Sequence, residues 1–312
     1  MIHRIMPYKV ISNQALGPRR FLRDKVSIRF DPPISLTLAS ISGFGQDGPY
    51  HKRPGFDQII QGMSGLMSVT GHPGTPYVRT GIAVADLVTG QMCAQGVLLT
   101  LFERERSGIG QWVQVSLLET LINLMDFQAV RYLNEKEMPL QVGNDHAARM
   151  PTGVYQTADG EVTICAAADA MWRKLCAQIG REDLVSNQLF AEQAGRSKNR
   201  VALNVELESV LRTQDTAYWV RKLNKAGVAC GPVYTVEQMF GDEQVEHLQV
   251  VRAVDHATLG KKFVLGQPIR LSAATPIDNK PAPTRGEHSV DILKEMGLSE
   301  EAVAHLQREQ VF

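Results

Sequence analysis

From Asp86 to Phe102 the sequence is apolar on almost every side of a helix. The apolar positions are Leu87, Val88, Cys93, Val97, Leu98, Leu101 and Phe102. A helix that is apolar all round is normally buried in the centre of a domain. The charged run Glu103–Arg106, followed by Ser107 and Gly108, ends it. We therefore expect a central, buried helix around which the rest of its domain packs.

Strands and helices alternate around this helix. Ser35–Ile41 is a short, apolar and β-branched run, which is typical of a buried strand. Apolar residues recur at helical spacing over Phe56–Met67, and Gly110–Val115 predicts a second strand. Ser116-Leu117-Leu118-Glu119 matches a capping box, which predicts a helix up to about residue 133. This order of elements predicts a parallel α/β structure.

The second half of the chain predicts a smaller α+β domain. Two strands, Gly153–Gln156 and Glu161–Cys165, are expected around a turn at Asp159-Gly160. Helices are expected near Trp172–Ile179, Arg200–Leu211 and Tyr218–Lys225. A hairpin of Val250–Val254 and Lys262–Leu265 around 256–260 follows, and two helices, Ser289–Met296 and Ser299–Gln310, end the chain.

A chain of 312 residues exceeds the usual size of a single core, so we expect two domains. The predicted division is a divergent N-terminal arm (1–34), a large domain (35–135 with 285–312), a linker (136–150), a small domain (151–255), and a hairpin with a return linker (256–284).

Composition narrows the possible functions. The formal net charge is zero, which gives no reason to expect nucleic acid or a membrane as a partner. We find no run of the ~20 apolar residues that span a bilayer. The four cysteines form no CxxC pair and no zinc spacing, so we expect no metal and a reducing cytoplasm. The glycine pattern at Gly43–Gly48 is not the full Gly-x-Gly-x-x-Gly fingerprint, which disfavours an enzyme that binds a nicotinamide dinucleotide. No Gly-x-Ser-x-Gly elbow is present, which disfavours a Ser-His-Asp hydrolase.

Asp86 is the one side chain that the pattern singles out for chemistry. From spacing alone, the commoner explanation is an N-cap whose carboxylate accepts backbone N–H bonds. The same position also suits a nucleophile, because a carboxylate among apolar neighbours is poorly hydrated. The residues alone leave both explanations open.

A set of collinear motifs resembles the class III CoA-transferases, the CaiB/BaiF family. The matching segments are Ala39–Tyr50, Arg53–Asp57, Met63–Met67, Thr70-Gly71, Gly81–Gly90, Gly108–Leu117, Asp159-Gly160, Gly231–Val233 and Pro281–His288. The resemblance implies a Rossmann-like large domain with a smaller α+β domain, and an enzyme that transfers CoA.

In that family the aspartate at the position of Asp86 is the nucleophile, and it forms anhydride and aspartyl-CoA thioester intermediates. The resemblance also implies that Gly55, Phe56 and Asp57 line the pantetheine site and that Ala167 and Ala168 belong to a loop over the substrate. The implied partners are an acyl-CoA and a small carboxylic acid. Coenzyme A is then a substrate, no cofactor is bound permanently, and two chains interlock as a homodimer.

Two features keep other functions open. Racemases of the same fold carry a histidine where this chain has Phe56, which cannot shuttle a proton; this favours transfer over an acyl-CoA racemase or isomerase. Family members also have a longer segment before Ser40, which supplies the first strands of the Rossmann-like sheet. The large domain is therefore expected to be N-terminally incomplete, and the alternative is a truncated, inactive remnant or a structural partner of an intact homologue.

Overall fold

The computed structural model describes residues 35–274 and 279–312, together with the backbone of residues 10–12. The chain divides into two compact units, Met1–Pro232 and Val233–Phe312. The predicted domain boundaries stay predictions. The rest of the predicted arm (1–34) and part of the predicted return linker (275–278) lie outside the described residues.

A parallel sheet opens the first unit. It has the order β1-β2-β3, with β1 at Val10–Ser12, β2 at Leu38–Ser42 and β3 at Trp112–Ser116. Three helices connect β2 to β3: α1 (Asp57–Met63), α2 (Leu66–Val69) and α3 (Val84–Ser107). Two more follow β3: α4 (Leu117–Leu124) and α5 (Asp126–Glu135). The predicted parallel α/β arrangement is confirmed.

Two of the predicted helices are broken, so those predictions are wrong in length. The helix expected over 56–67 is divided by Gly65, whose φ of 87° is left-handed. The helix expected over 117–133 is divided at Met125 and Asp126. Its predicted start is confirmed, since the Ser116 hydroxyl accepts the N–H of Glu119 at 3.2 Å and donates to the Glu119 carboxylate at 2.6 Å.

Helix α3 is not the buried helix that its composition predicted. Only Ala85, Thr89, Cys93 and Thr100 are buried along its 24 residues. Leu98, Leu99 and Phe102 are 65 to 70% exposed. Sequence composition records how apolar a helix is but not how many neighbours cover it, and the described residues cover one side only. Contrary to the expectation that no segment is long and apolar enough to span a bilayer, α3 meets that criterion by its length and composition. The core helix of a soluble protein meets the same criterion.

An antiparallel sheet forms the rest of the first unit. It has the order β4-β5-β6, with β4 at Thr152–Gln156, β5 at Glu161–Cys165 and β6 at Ala229–Pro232. Its helices are α6 (Asp169–Ile179), α7 (Asp183–Ser186), α8 (Gln193–Lys198), α9 (Arg200–Leu211) and α10 (Thr216–Lys225). The two predicted strands and the three predicted helices of this region are confirmed, whereas β6, α7 and α8 were not predicted.

The second unit contains a hairpin and short helices. Its elements are α11 (Val236–Phe240), α12 (Glu243–His247), β7 (Val251–His256), β8 (Gly260–Leu265), α13 (Ser289–Glu295) and α14 (Glu300–Arg308). The predicted hairpin is confirmed as an antiparallel pair. Ser299 caps α14 by accepting the N–H of Ala302, as its sequence position indicates.

Candidate active site

Asp86 lies in the first turn of α3, with Val84 and Ala85 before it in the helix. The N-cap residue is Ala83, which has no side-chain group to accept a backbone N–H. Asp86 therefore does not cap its own helix. Its side chain is exposed, so the poorly hydrated setting expected from its apolar neighbours is not found in the described residues, because Leu87 beside it is exposed as well. Within the part of the chain that the structure describes, the carboxylate makes no hydrogen bond.

The cap of α3 comes from α1 instead. Asp57 is 9% exposed, and its Oδ1 accepts the N–H of Ala85 at 2.9 Å. An N-cap side chain normally accepts the N–H of the second or third helical residue, and Ala85 is the second residue of α3. The carboxylate of Asp57, on the neighbouring helix α1, thus caps α3, which the methyl side chain of Ala83 cannot do.

A buried amide extends this contact. Gln61 is fully buried and lies one turn after Asp57 on α1, and its Nε2 donates to Asp57 Oδ2 at 2.8 Å. The same nitrogen lies 3.3 Å from the carbonyl oxygen of Ile82. Gln61 Oε1 accepts the N–H of Thr80 at 2.9 Å and its hydroxyl at 3.2 Å. These bonds hold the segment 80–85 against α1.

The electrostatics of the site follow from this packing. Partial burial raises the pKa of Asp86 above its ordinary value, and the nearby charge of Asp57 raises it further. A raised pKa makes the carboxylate more basic, which is the direction that nucleophilic use requires.

Two glycines shape the approach to α1. A Cβ on Gly43 would lie 2.6 Å from the Cα of Gly55, and a Cβ on Gly55 would lie equally close to Gly43. The two backbones can touch only because neither residue has a side chain. Phe56 then forms the N-cap position of α1 and is 58% exposed. Of the three residues predicted to line the CoA site, Phe56 is thus exposed, whereas Gly55 and Asp57 are buried.

Ala167 and Ala168, the predicted substrate loop, lie between β5 and α6. The carbonyl of Ala167 accepts a bond of 2.8 Å from Arg196 Nη2, and Ala168 is the exposed N-cap position of α6. The same guanidinium bonds the carboxylate of Asp169 and the carbonyls of Met150, Phe190 and Ala191. Arg196 thus ties this loop by hydrogen bonds to the segments around Met150 and Phe190.

The sequence interpretation missed Gln61, Thr80 and Arg196. The spacing of Asp57 and Gln61, four residues apart on a helix, is a signal that could have shown that they interact. Nothing in the sequence indicated Thr80, and a buried arginine is rare enough to be overlooked. Among the described residues no group of three or more His, Cys, Asp or Glu lies close enough to hold a metal ion.

The parallel sheet, the helices between its strands and the aspartate at the start of α3 define an α/β protein of the CaiB/BaiF type. The profile of CoA-transferase family III matches residues 33–289, and the chain belongs to this family. A crystal structure of a CaiB/BaiF family protein from Brucella suis is similar, with a TM-score of 0.70 and 32% identity, over 84% of this chain and 68% of that one.

Curated relatives carry CoA-transferase names. The succinate–glutarate CoA-transferase of Agrobacterium fabrum is 33% identical over 286 residues, which are 90% of this chain and 70% of that protein. The succinyl-CoA:glutarate CoA-transferase of Mus musculus is 31% identical over 261 residues, 84% of this chain and 60% of that protein. The chain thus spans 60 to 70% of the length of these relatives.

Proposed function

We propose that this chain transfers CoA from an acyl-CoA donor to a carboxylic acid, with Asp86 as the nucleophile. The observation that supports this most strongly is the state of the Asp86 carboxylate. It is exposed and without a hydrogen bond in the described structure, it has a raised pKa, and it lies beside a helix start that Asp57 already caps. A carboxylate needed only for capping would be bound to backbone N–H groups.

The first half of the reaction transfers CoA to the enzyme. The Asp86 carboxylate attacks the thioester carbonyl, the C–S bond breaks, and CoA thiolate leaves behind a mixed anhydride of Asp86 and the acyl group. The thiolate then attacks the aspartyl carbonyl of the anhydride. The donor acid leaves as a carboxylate, and an aspartyl-CoA thioester remains on Asp86.

The second half runs the same steps with the acceptor. The acceptor carboxylate attacks the aspartyl thioester and expels the thiolate, which gives a second anhydride. The thiolate attacks the acceptor carbonyl, so that the new acyl-CoA forms and the Asp86 carboxylate is regenerated. Covalent catalysis of this kind divides one difficult displacement into several easier steps.

A donor for the developing oxyanion is present in the first turn of α3. The first N–H groups of a helix have no intrahelical partner. The N–H of Val84 bonds the carbonyl of Ile82, and that of Ala85 bonds Asp57. We propose that the N–H of Asp86, the next along the helix, stabilises the negative charge of the tetrahedral intermediates.

The relatives suggest the class of acid. Succinate and glutarate, named for the two curated relatives, are both dicarboxylates. We propose a dicarboxylate acceptor, with Gly55 and Phe56 beside the pantetheine arm and Ala167 and Ala168 in the loop over the substrate.

A transfer assay tests the proposal. Succinyl-CoA is offered with a panel of mono- and dicarboxylic acids, and new acyl-CoA is measured by chromatography. We expect transfer to at least one acid, and a loss of about 10⁴-fold in kcat for Asp86→Asn, which keeps the size of the side chain but removes the nucleophile. Asp291→Asn, which changes another first-turn aspartate on α13, is the matched control and should keep full activity.

Two results would contradict the proposal. The first is Asp86→Asn with undiminished transfer. The second is exchange of the hydrogen at carbon 2 of a 2-methylacyl-CoA in deuterated water without any transfer, which would indicate a racemase or isomerase.

We also propose that the chain forms an interlocked homodimer. The outer side of α3 supports this, because Leu98, Leu99 and Phe102 form an apolar face that the described residues leave uncovered. Light scattering should give twice the chain mass, and Phe102→Glu should shift the population towards the monomer. A monomer at all concentrations would contradict the proposal.

A further inference from the structure

Asp57 is poorly suited to bind a substrate. It is buried, and each of its carboxylate oxygens is already bonded inside the protein, Oδ1 to the N–H of Ala85 and Oδ2 to the amide of Gln61. A contact with CoA would have to break one of these bonds and leave a buried donor without a partner, which is costly.

Both polar groups of the Gln61 side chain are also hydrogen-bonded within the protein. Its amide nitrogen donates to the Asp57 carboxylate and to the Ile82 carbonyl, and its oxygen accepts both the N–H and the hydroxyl of Thr80. A fully satisfied buried network of this kind fixes one arrangement of the groups that it joins. What it joins here is α1 and the segment that leads into the first turn of α3.

This segment determines where Asp86 lies. Ala85 N, which Asp57 holds, is separated from the Cα of Asp86 by the Cα of Ala85 and one planar peptide unit, and the helical backbone of Ala85 fixes the two dihedrals between them. A shift of the cap therefore moves the attacking carboxylate. The charge of Asp57 also acts on Asp86, since it contributes to the raised pKa of that group.

We propose that Asp57 and Gln61 are positioning residues: together they cap α3 from α1 and hold Asp86 in the geometry for attack on the thioester, and neither contacts CoA. This inference rests on the proposed function of Asp86. It replaces the sequence-based prediction that Asp57 lines the CoA site.

The test uses an exchange of the two functional groups. In Asp57→Asn the new NH₂ group faces the NH₂ group of Gln61, and in Gln61→Glu two carboxylates face each other. The double variant Asp57→Asn/Gln61→Glu restores a donor opposite an acceptor and keeps the oxygen that Thr80 requires, but it loses the 3.3 Å bond to the Ile82 carbonyl, so only part of the lost kcat should return. Asp215→Asn, a change at the side-chain cap of α10, is the matched control.

We expect each single variant to lower kcat by about 100-fold, because small misplacements of a reacting group cost rates of this order. KM for the acyl-CoA should stay within about threefold, and the double variant should recover about tenfold of the lost kcat. An unchanged kcat in the single variants, a rise in KM as the main effect, or a double variant no better than the singles would overturn the inference.

Hydrogen–deuterium exchange separates this inference from the proposed function. Peptides over 80–87 should exchange faster in Asp57→Asn than in the wild type, whether or not any transfer is detected. Unchanged exchange would overturn the positioning role, whereas a wild type without transfer would overturn the proposed function alone. If Asp57→Asn does not fold, Thr80→Val, which removes only one hydroxyl from the network, should lower kcat by about fivefold with KM unchanged. An unchanged kcat in that variant would also count against the inference.

Discussion

The region around the parallel sheet and the region around the antiparallel sheet are held together in different ways. In the described residues the antiparallel region contains a core of seventeen buried apolar residues, among them Trp172, Leu203 and Leu207. The corresponding core at the parallel sheet has four: Ile60, Ala85, Leu117 and Leu121. The candidate site lies in the region with the smaller core.

The difference shows how the site keeps its shape. Where apolar packing is sparse, the support that we infer for Asp86 comes from the hydrogen bonds that Ala85 and Gln61 donate to Asp57, together with the close contact between Gly43 and Gly55. Functional segments commonly belong to the less stable parts of a protein, whereas a dense core serves mainly stability. Substitutions in the two regions should therefore separate into effects on stability and effects on activity.

Arg196→Met should give the largest loss of stability. The substitution leaves the carbonyls of Met150, Ala167, Phe190 and Ala191 without this donor. We expect a loss of about 4 kcal/mol in the free energy of unfolding, measured by urea denaturation. Arg212→Met, which removes an exposed pair with Glu208 on α9, should cost less than about 0.5 kcal/mol. A loss below about 1 kcal/mol for Arg196→Met would show that the buried guanidinium does not hold this region.

Leu207→Ala tests the dense core directly. Leu207 is fully buried on α9, and its truncation should lower the free energy of unfolding by about 3 kcal/mol. Val205→Ala on the same helix, at a position that is 65% exposed, should cost less than about 0.5 kcal/mol. The kcat of folded Leu207→Ala should equal that of the wild type. A large fall in kcat would break the separation between the two regions.

Gly43→Ala should act mainly on the site. Its new Cβ would lie 2.6 Å from the Cα of Gly55, and neither backbone can yield without moving the start of α1. We expect a loss of about 2 kcal/mol in stability together with a fall in kcat. Gly231→Ala, where no atom lies within 4 Å of the new Cβ, is the control and should change neither quantity appreciably. Full activity and stability in Gly43→Ala would show that the backbone contact is not required.

Two aspartates should respond to pH in opposite directions, and this is the smallest expected effect. Bonds from Thr216 lower the pKa of Asp159, so its contribution to stability is present above its unfolded pKa of 3.8 and is lost as the pH falls through the folded value. Partial desolvation and the charge of Asp57 raise the pKa of Asp86, so the folded state is relatively favoured below the unfolded pKa of 3.8 and loses that advantage as the pH rises through the folded pKa.

Relative to the wild type, Asp159→Asn should therefore be less stable at neutral pH, and Asp86→Asn more stable. Both differences should vanish in strong acid. Urea denaturation at a series of pH values measures them, and the same sign for both variants would contradict the assigned environments.

The sequence predicted the regular elements well where local pattern determines them. Strand β5 and helix α9 lie where apolar spacing and turn residues placed them, and Ser116 caps α4 as its position indicated. The break at Gly65 was missed because one left-handed residue can interrupt a helix whose apolar pattern continues.

The sequence could not predict features that depend on distant contacts. The exposure of α3 depends on which elements cover it, and its apolar composition carries no such information. The cap that Asp57 gives to α3 joins residues 28 positions apart. The pattern drew attention to Asp86, but its spacing alone favoured an N-cap, and the role of nucleophile came from the resemblance to a family.

The most direct test of the account is to trap the covalent intermediate. The protein is incubated with succinyl-CoA and hydroxylamine, and its peptides are analysed by mass spectrometry. An aspartyl anhydride or thioester reacts with hydroxylamine to give a hydroxamate, and we predict this product at Asp86, only when the acyl-CoA is present. A hydroxamate at another carboxylate, or transfer that continues with Asp86 unmodified, would contradict the claim that Asp86 is the nucleophile.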